Sequence, residues 1–200
     1  LVSSNKKEGS RWLFVYNLSE MSNTILTTED FILYLLKKVE PGKLDRLRLN
    51  KLAFFVEFGY LFKTQKPLSI ANYAGIDNGP VIDGYTKILE KMQKDKRILI
   101  DGQKIRPLAD PKTNISEEIR SVIDPFISKY SQLTTEELIT LSHATDSYKI
   151  TTDNESVMGK RIDKKLAALE TFFVERETED GELLDLPRID RSKLVPYETR

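Results

Sequence analysis

Residues 44–62 read LDRLRLNKLAFFVEFGYLF, and this stretch decides the fold. In its first half Leu44, Leu47 and Leu52 recur as helical neighbours, which leaves Arg46, Arg48 and Lys51 for solvent. From Leu52 onward the pattern closes up. Leu52, Ala53, Phe54, Phe55, Val56, Phe58, Tyr60, Leu61 and Phe62 are interrupted only by Glu57 and Gly59. A helix that is apolar around most of its circumference must be covered on several sides, so this one is expected at the centre of the domain. Glu57 and the preceding charges make the apolar run too short for a membrane span.

On the N-terminal side, Thr27 with Asp30 three residues later resembles a capping box, and Phe31, Ile32, Leu35 and Leu36 follow at helical spacing. Pro41-Gly42 closes that helix. Residues 1–26 read as an N-terminal extension, with a candidate short strand where Trp12, Phe14, Tyr16 and Leu18 alternate with their neighbours. Met21 is a candidate natural start within it.

On the C-terminal side, Lys66-Pro67-Leu68 turns the chain into residues 69–77, expected to be irregular or briefly extended. Asn78-Gly79-Pro80 is a turn signal, with Pro80 suited to the first position of a helix carrying Val81, Ile82, Tyr85, Ile88, Leu89 and Met92. Residues 97–100 and 103–108 flank Asp101-Gly102, the pattern of a small β-hairpin. Asn114 with Glu117 is expected to cap the next helix, striped by Ile119, Val122, Ile123, Phe126, Ile127 and Tyr130, with Pro125 kinking or splitting it. Thr134 with Glu137 is the best capping box in the chain. A last helix is expected to carry Ile162, Leu166, Leu169, Phe172 and Phe173 on one face. The expected architecture is therefore mainly α (α+β): a compact domain over residues 27–176 with about six helices and a small hairpin. Residues 177–200 are charged, broken by Pro187 and Pro196, and read as a flexible tail that could order on a partner.

Lysine plus arginine and aspartate plus glutamate balance at 31 each, so the chain carries no overall electrostatic footprint for nucleic acid. Basic residues cluster at Lys87, Lys91, Lys94, Lys96, Arg97, Lys104 and Arg106, and again at Lys160, Arg161, Lys164 and Lys165. Aromatic residues do not interleave with them as a stacking platform would require. Cysteine is absent, which removes disulfides, thiolate nucleophiles and cysteine-ligated metals. The apolar segment 12–18 is short and lacks a cleavage site, so the cytoplasm is the expected compartment.

The single histidine, His143, stands in LSHATDS. A zinc site there would need three carboxylates, which zinc rarely accepts. Ser142, His143 and Asp146 are triad residue types, but adjacent helical residues point apart and cannot share a proton. A histidine that caps its helix or bonds a loop is the simpler reading. Gly75, Gly79 and Gly84 fit neither GxGxxG nor GxxxxGK[ST]. No pair of carboxylates stands out as acid and base, so no catalytic residue, cofactor or metal is assigned and the protein is expected not to be an enzyme.

Three stretches together resemble one family. They are residues 49–68, with Lys51-Leu52 opening an aromatic-rich helix before Lys66-Pro67-Leu68; Gly79-Pro80-Val81 followed by Tyr85; and Leu141-Ser142-His143 with Asp146-Ser147-Tyr148. In this order and at these separations they resemble the Panacea antitoxin domain, also described as SocA-like, over residues 27–174. The sequence departs from that pattern at Ile76 and Asn78, where tryptophan and another aromatic are usual, and at Tyr148, where tryptophan is common. The resemblance implies a helical antitoxin of a toxin–antitoxin system that binds and neutralises a cognate toxin. Such toxins are prominently small alarmone-synthetase-like enzymes that pyrophosphorylate tRNA. One relative instead delivers its toxin to a protease, so a proteolytic adaptor is the alternative, alongside a DNA-binding regulator. The implied partner is the toxin, in a hetero-oligomer or with self-association, and neither membrane nor nucleic acid. The expected contact residues are Tyr73, Asp77, Asn78, Pro80 and Tyr85 in the 73–85 region, then His143, Asp146 and Tyr148, and in the tail Leu186 and Tyr197.

Overall fold

The computed structural model describes residues 25–174. The candidate strand at 12–18 and the tail, with Leu186 and Tyr197, lie outside the described residues. Thr27 caps α1 (Thr28–Lys38), its hydroxyl accepting from the Asp30 amide at 3.1 Å. Asp45 caps α2 (Arg46–Thr64), accepting from the Arg48 amide at 2.7 Å. As its closed apolar pattern requires, α2 is the central element: Leu49 and every residue from Leu52 to Leu61 are buried. Around it pack α1, α4 (Glu117–Ser131), α5 (Thr135–Ala144), strand β2 (Gly79–Ile82) and a 3-10 helix (Lys164–Leu169). Phe55 stacks on Tyr130 of α4 at 4.2 Å between ring centroids, and Phe54, Phe58 and Tyr73 meet edge to face or tilted.

The remaining elements are β1 (Tyr73–Ile76), α3 (Tyr85–Lys94), β3 (Ile98–Asp101), β4 (Lys104–Pro107), α6 (Asp146–Thr152) and β5 (Lys160–Ile162). Six α-helices and one 3-10 helix thus stand beside two small antiparallel sheets among the described residues, one of order β2-β1-β5 and one of β3-β4. No described helix is long and apolar enough to cross a membrane.

Several local expectations are corrected. Asn78-Gly79-Pro80 does turn the chain, but Pro80 enters β2, which pairs Ile82 with Tyr73, and the helix starts only at Tyr85. The β3-β4 turn falls one residue later, on Gly102-Gln103, with Asp101 opposite Lys104. Ser116, not Asn114, caps α4, and α4 runs through Pro125 as one helix. The last expected helix is replaced by β5 and the 3-10 helix. Residues 160–162 pair with the second edge of β1, Ile162 opposite Tyr73, and this pairing outweighs the helical spacing of their apolar groups. Leu26, placed in the extension, is fully buried and bridges to Ser69.

Lys51, expected in solvent, has no exposure at all. Arg48 is half-buried and donates to the Ser131 and Leu133 carbonyls at 3.1 and 2.8 Å. Its companion Arg46 is exposed as expected.

Asp30 is a second buried charge and ties α1 to the chain ahead of α4. It accepts from Arg97 at 2.6 Å, from the Lys112 and Thr113 amides at 3.1 Å, and from the Thr113 hydroxyl at 2.8 Å. Burial alone would raise this carboxyl, but the Arg97 guanidinium and the amides hold it at about 2, against 3.8 unperturbed. Its stabilising effect is therefore complete above the unfolded value and disappears as pH falls through about 2. Asp30→Asn is expected to cost about 2 kcal/mol at neutral pH and to remove this part of the acid slope, as urea unfolding at several pH values would show.

Candidate functional site

The three separated stretches meet around one backbone atom. Gly79 has φ +85°, in the left-handed region that favours glycine, and follows the Asp77-Asn78 turn. A Cβ added there would lie 2.8 Å from Lys51 Nζ, 3.0 Å from His143 Cδ2 and closer still to Ser142 Oγ. Residues from α2, the β1-β2 hairpin and α5 thus share one contact at the hairpin tip.

Four interior side chains pin this hairpin. Lys51 Nζ donates to the Pro80 carbonyl at 2.9 Å. Asn50 Oδ1 accepts from the Ile82 amide at 2.9 Å, while its Nδ2 donates to the Arg46 carbonyl. Tyr73 donates to the Ala53 carbonyl at 3.1 Å and Tyr148 to the Ile76 carbonyl at 2.9 Å. The bonds to Pro80, Ile82 and Ile76 satisfy backbone groups of the hairpin, and those of Tyr73 and the Asn50 amide end on carbonyls of α2. Asp77 and Asn78, at the tip, are exposed.

His143 stands beside the tip at the end of α5. Its Nδ1 is 2.7 Å from Glu155 Oε1, its ring lies 4.7 Å from that of Tyr148, and its Nε2 is buried without a hydrogen-bond partner. The histidine therefore bonds a loop, as the sequence suggests. That loop is unusual: Asp153, Asn154 and Glu155 all have positive φ, at 47°, 51° and 72°. Asp153 is the left-handed C-cap of α6, and the Asn154 amide donates to the Lys149 carbonyl at 2.9 Å.

The triad arrangement is absent. Ser142 is fully buried and donates to the Ile139 carbonyl at 2.8 Å, and Asp146 accepts from the Thr171 amide and hydroxyl at 2.6 and 2.8 Å. Reciprocally, Glu170 accepts from the Asp146 and Ser147 amides at 3.0 and 2.9 Å and from the Ser147 hydroxyl, closing the N-terminus of α6. Burial pushes the Glu170 carboxyl up against these hydrogen bonds. Asp146 is thus a structural clamp between α6 and the chain after the 3-10 helix.

The other expected contact residues divide by depth. Tyr73 and Tyr148 are fully buried and Pro80 is buried, so each supports the tip from within. Tyr85 keeps a partly covered ring at the start of α3 with its hydroxyl buried and unpaired, and burial raises that hydroxyl strongly.

On α2, sequence reasoning misses two buried charges. The helical spacing leaves Lys51 for solvent. Glu57 is fully buried, with Lys164 Nζ at 2.6 Å and the Leu68 and Ser69 amides at 3.3 Å; burial pushes its carboxyl up and Lys164 opposes the shift. Both charges hold the chain on either side of β1. Their only sequence signal is a charge inside an apolar helical run. A groove of about 380 Å³ lined by Asn72, Arg161, Ile162, Asp163 and Lys164 contains none of the expected contact residues. Among the described residues no group of three or more His, Cys, Asp or Glu is placed to hold a metal.

No curated protein and no solved structure matches this chain. A family model does, that of the antitoxin SocA-like, Panacea domain, over residues 49–148. The match spans half the chain and contains Lys51, Gly79, Pro80, Ser142, His143 and Tyr148, all of which meet at or beneath the hairpin tip. By this match the chain belongs to the SocA-like antitoxin family and carries its Panacea domain.

Proposed function

We propose that this protein neutralises a cognate toxin by direct contact, through a face formed by the Asp77-Asn78 tip, His143 and the 153–155 turn. The binding unit is the helical domain read as residues 27–176. The toxin class that best suits the family is a small alarmone-synthetase-like enzyme that pyrophosphorylates tRNA. One observation carries this reading: residues from all three matched stretches are spent on holding a single exposed hairpin tip in place. A rigid base beneath an exposed loop is how binding residues are commonly presented. Tyr73, Pro80 and Tyr148 serve as its interior support, Tyr85 opens α3 and Asp146 clamps α6 behind it, and Asp77, Asn78 and His143 supply the contact.

Co-expression with the product of the adjacent gene tests this. Rescue of growth together with co-purification is the expected result, and a neighbour that is harmless on its own would refute the antitoxin role. A surface variant locates the face. Asp77→Arg with Asn78→Lys should change stability by no more than about 0.5 kcal/mol, because both residues are exposed. It should weaken toxin binding by roughly tenfold or more in a titration. Unchanged binding would move the interface elsewhere.

A further inference from the structure

Lys51 has no solvent exposure, and its amine donates to the Pro80 carbonyl at 2.9 Å; with Ser142 Oγ and the edge of His143 it closes off the space beside the Gly79 α-carbon. Burial is what acts on it; no carboxylate compensates its charge. The charged groups around it are accounted for. From α5 comes His143, held by Glu155 from the turn after α6. From α6 comes Tyr148, beneath the His143 ring, and Asp77 lies on the tip. β2 carries no titratable side chain. Elsewhere on α2, Arg48 is turned to the carbonyls at the end of α4, and Glu57 is paired with Lys164 of the 3-10 helix. The charged ends of α1 engage Arg97, Lys91 and Asp124.

We propose that Lys51 is a proton-controlled latch on the hairpin tip. Charged, it grips the Pro80 carbonyl and fixes Asp77-Asn78; neutral, it holds that carbonyl more weakly and lets the tip move. The proposal rests on the reading of this tip as the partner-facing element. Hydrogen bonds from an ionised donor are roughly twice as strong as neutral ones, and this one acts directly on the backbone beside the turn. Burial lowers the Lys51 amine from 10.5 to about 7, which places the change of state in the neutral range.

The latch has a distinctive sign. Between about pH 7 and 10.5 the unfolded chain binds a proton that the folded protein does not, so overall stability rises with pH across that window. The grip on the tip is lost at the lower end of that window, as Lys51 gives up its proton around pH 7. A fold that becomes more stable while one hairpin tip loosens is distinct from general unfolding.

The test uses the full chain without any partner, so its failure leaves the toxin-binding reading to be judged by co-purification. In amide spectra recorded from about pH 5.5 to 9, Asn78, Gly79 and Val81 should shift together with a midpoint near 7. Lys51→Met should abolish this step and flatten the rise of stability with pH, whereas His143→Gln should leave both. A step that survives in Lys51→Met, or that vanishes in His143→Gln, overturns the proposal. Should Lys51→Met not fold, the Lys51 side-chain carbon resonance of the parent protein decides: a midpoint near 7 supports the latch, and one above about 10 refutes it.

Discussion

Phe55→Ala is expected to destabilise the protein by about 3–5 kcal/mol, the largest effect of any single substitution considered for this fold. Phe55 is fully buried in the centre of α2. Its ring lies parallel to that of Tyr130, with an interplanar angle of 6°, and faces Phe172 at 5.7 Å. Truncation removes the transfer energy of the ring and leaves a cavity lined by residues that α2, α4 and the C-terminal segment all hold in place. Such a site collapses poorly, which puts the cost toward the upper part of the range. For a domain of this size the melting temperature should fall by about 6–20 °C. Circular dichroism measures the loss, and the variant should still co-purify with its partner below its lowered melting temperature. If Phe55→Ala were as stable as the parent, α2 would not be the central element.

That element was the most legible part of the chain. A run apolar on every side of a helix leaves few places to put it, and α2 occupies the centre. Local hydrogen-bonding signals, which depend on residues three or four apart, were legible in part: Thr27 caps α1 and Thr134 with Glu137 forms the reciprocal box opening α5, whereas Ser116 takes the cap of α4 expected from Asn114. Interactions across long separations were not. The helical spacing of Leu44, Leu47 and Leu52 leaves Lys51 for solvent, whereas the carbonyl that receives it lies 29 residues away. Glu57 read as an interruption of the apolar run, and its cation stands 107 residues further on. The segment 160–173 shows the same limit. Its apolar spacing is compatible with a helix, but the vacant edge of β1, formed much earlier in the chain, takes residues 160–162 as a strand. The candidate site suffered most, since it is built almost wholly from such distant meetings. The residues of the three stretches could be listed from the sequence, yet which of them face outward could not.

Gly79→Ala is expected to have the second-largest effect on stability and a larger one on binding. Two costs add. A β-carbon at φ +85° carries the left-handed penalty of about 1–2 kcal/mol. It also intrudes on Ser142 Oγ, Lys51 Nζ and His143 Cδ2, and overpacking at a filled site costs about 1–3 kcal/mol. Together they predict a loss of about 2–5 kcal/mol, short of global unfolding for a domain of ordinary stability. The strain has a clear direction of escape. α5 is held by its capping box and by α2, whereas the tip is exposed, so the hairpin should lift away from α5 and carry Asp77-Asn78 with it. Toxin binding should then weaken more than stability alone would explain, measured on samples kept well below the melting temperature. A second substitution separates the two costs. Ser142→Ala removes the nearest atom while leaving φ unchanged and Lys51 Nζ at 2.8 Å, so Gly79→Ala with Ser142→Ala should recover part of the overpacking cost and retain the backbone penalty of about 1–2 kcal/mol. Recovery of binding in the double variant would tie partner recognition to the height of the tip above α5. Additive losses would mean that Gly79 and Ser142 act independently, and the shared contact between α2, the hairpin and α5 would then have no role in binding.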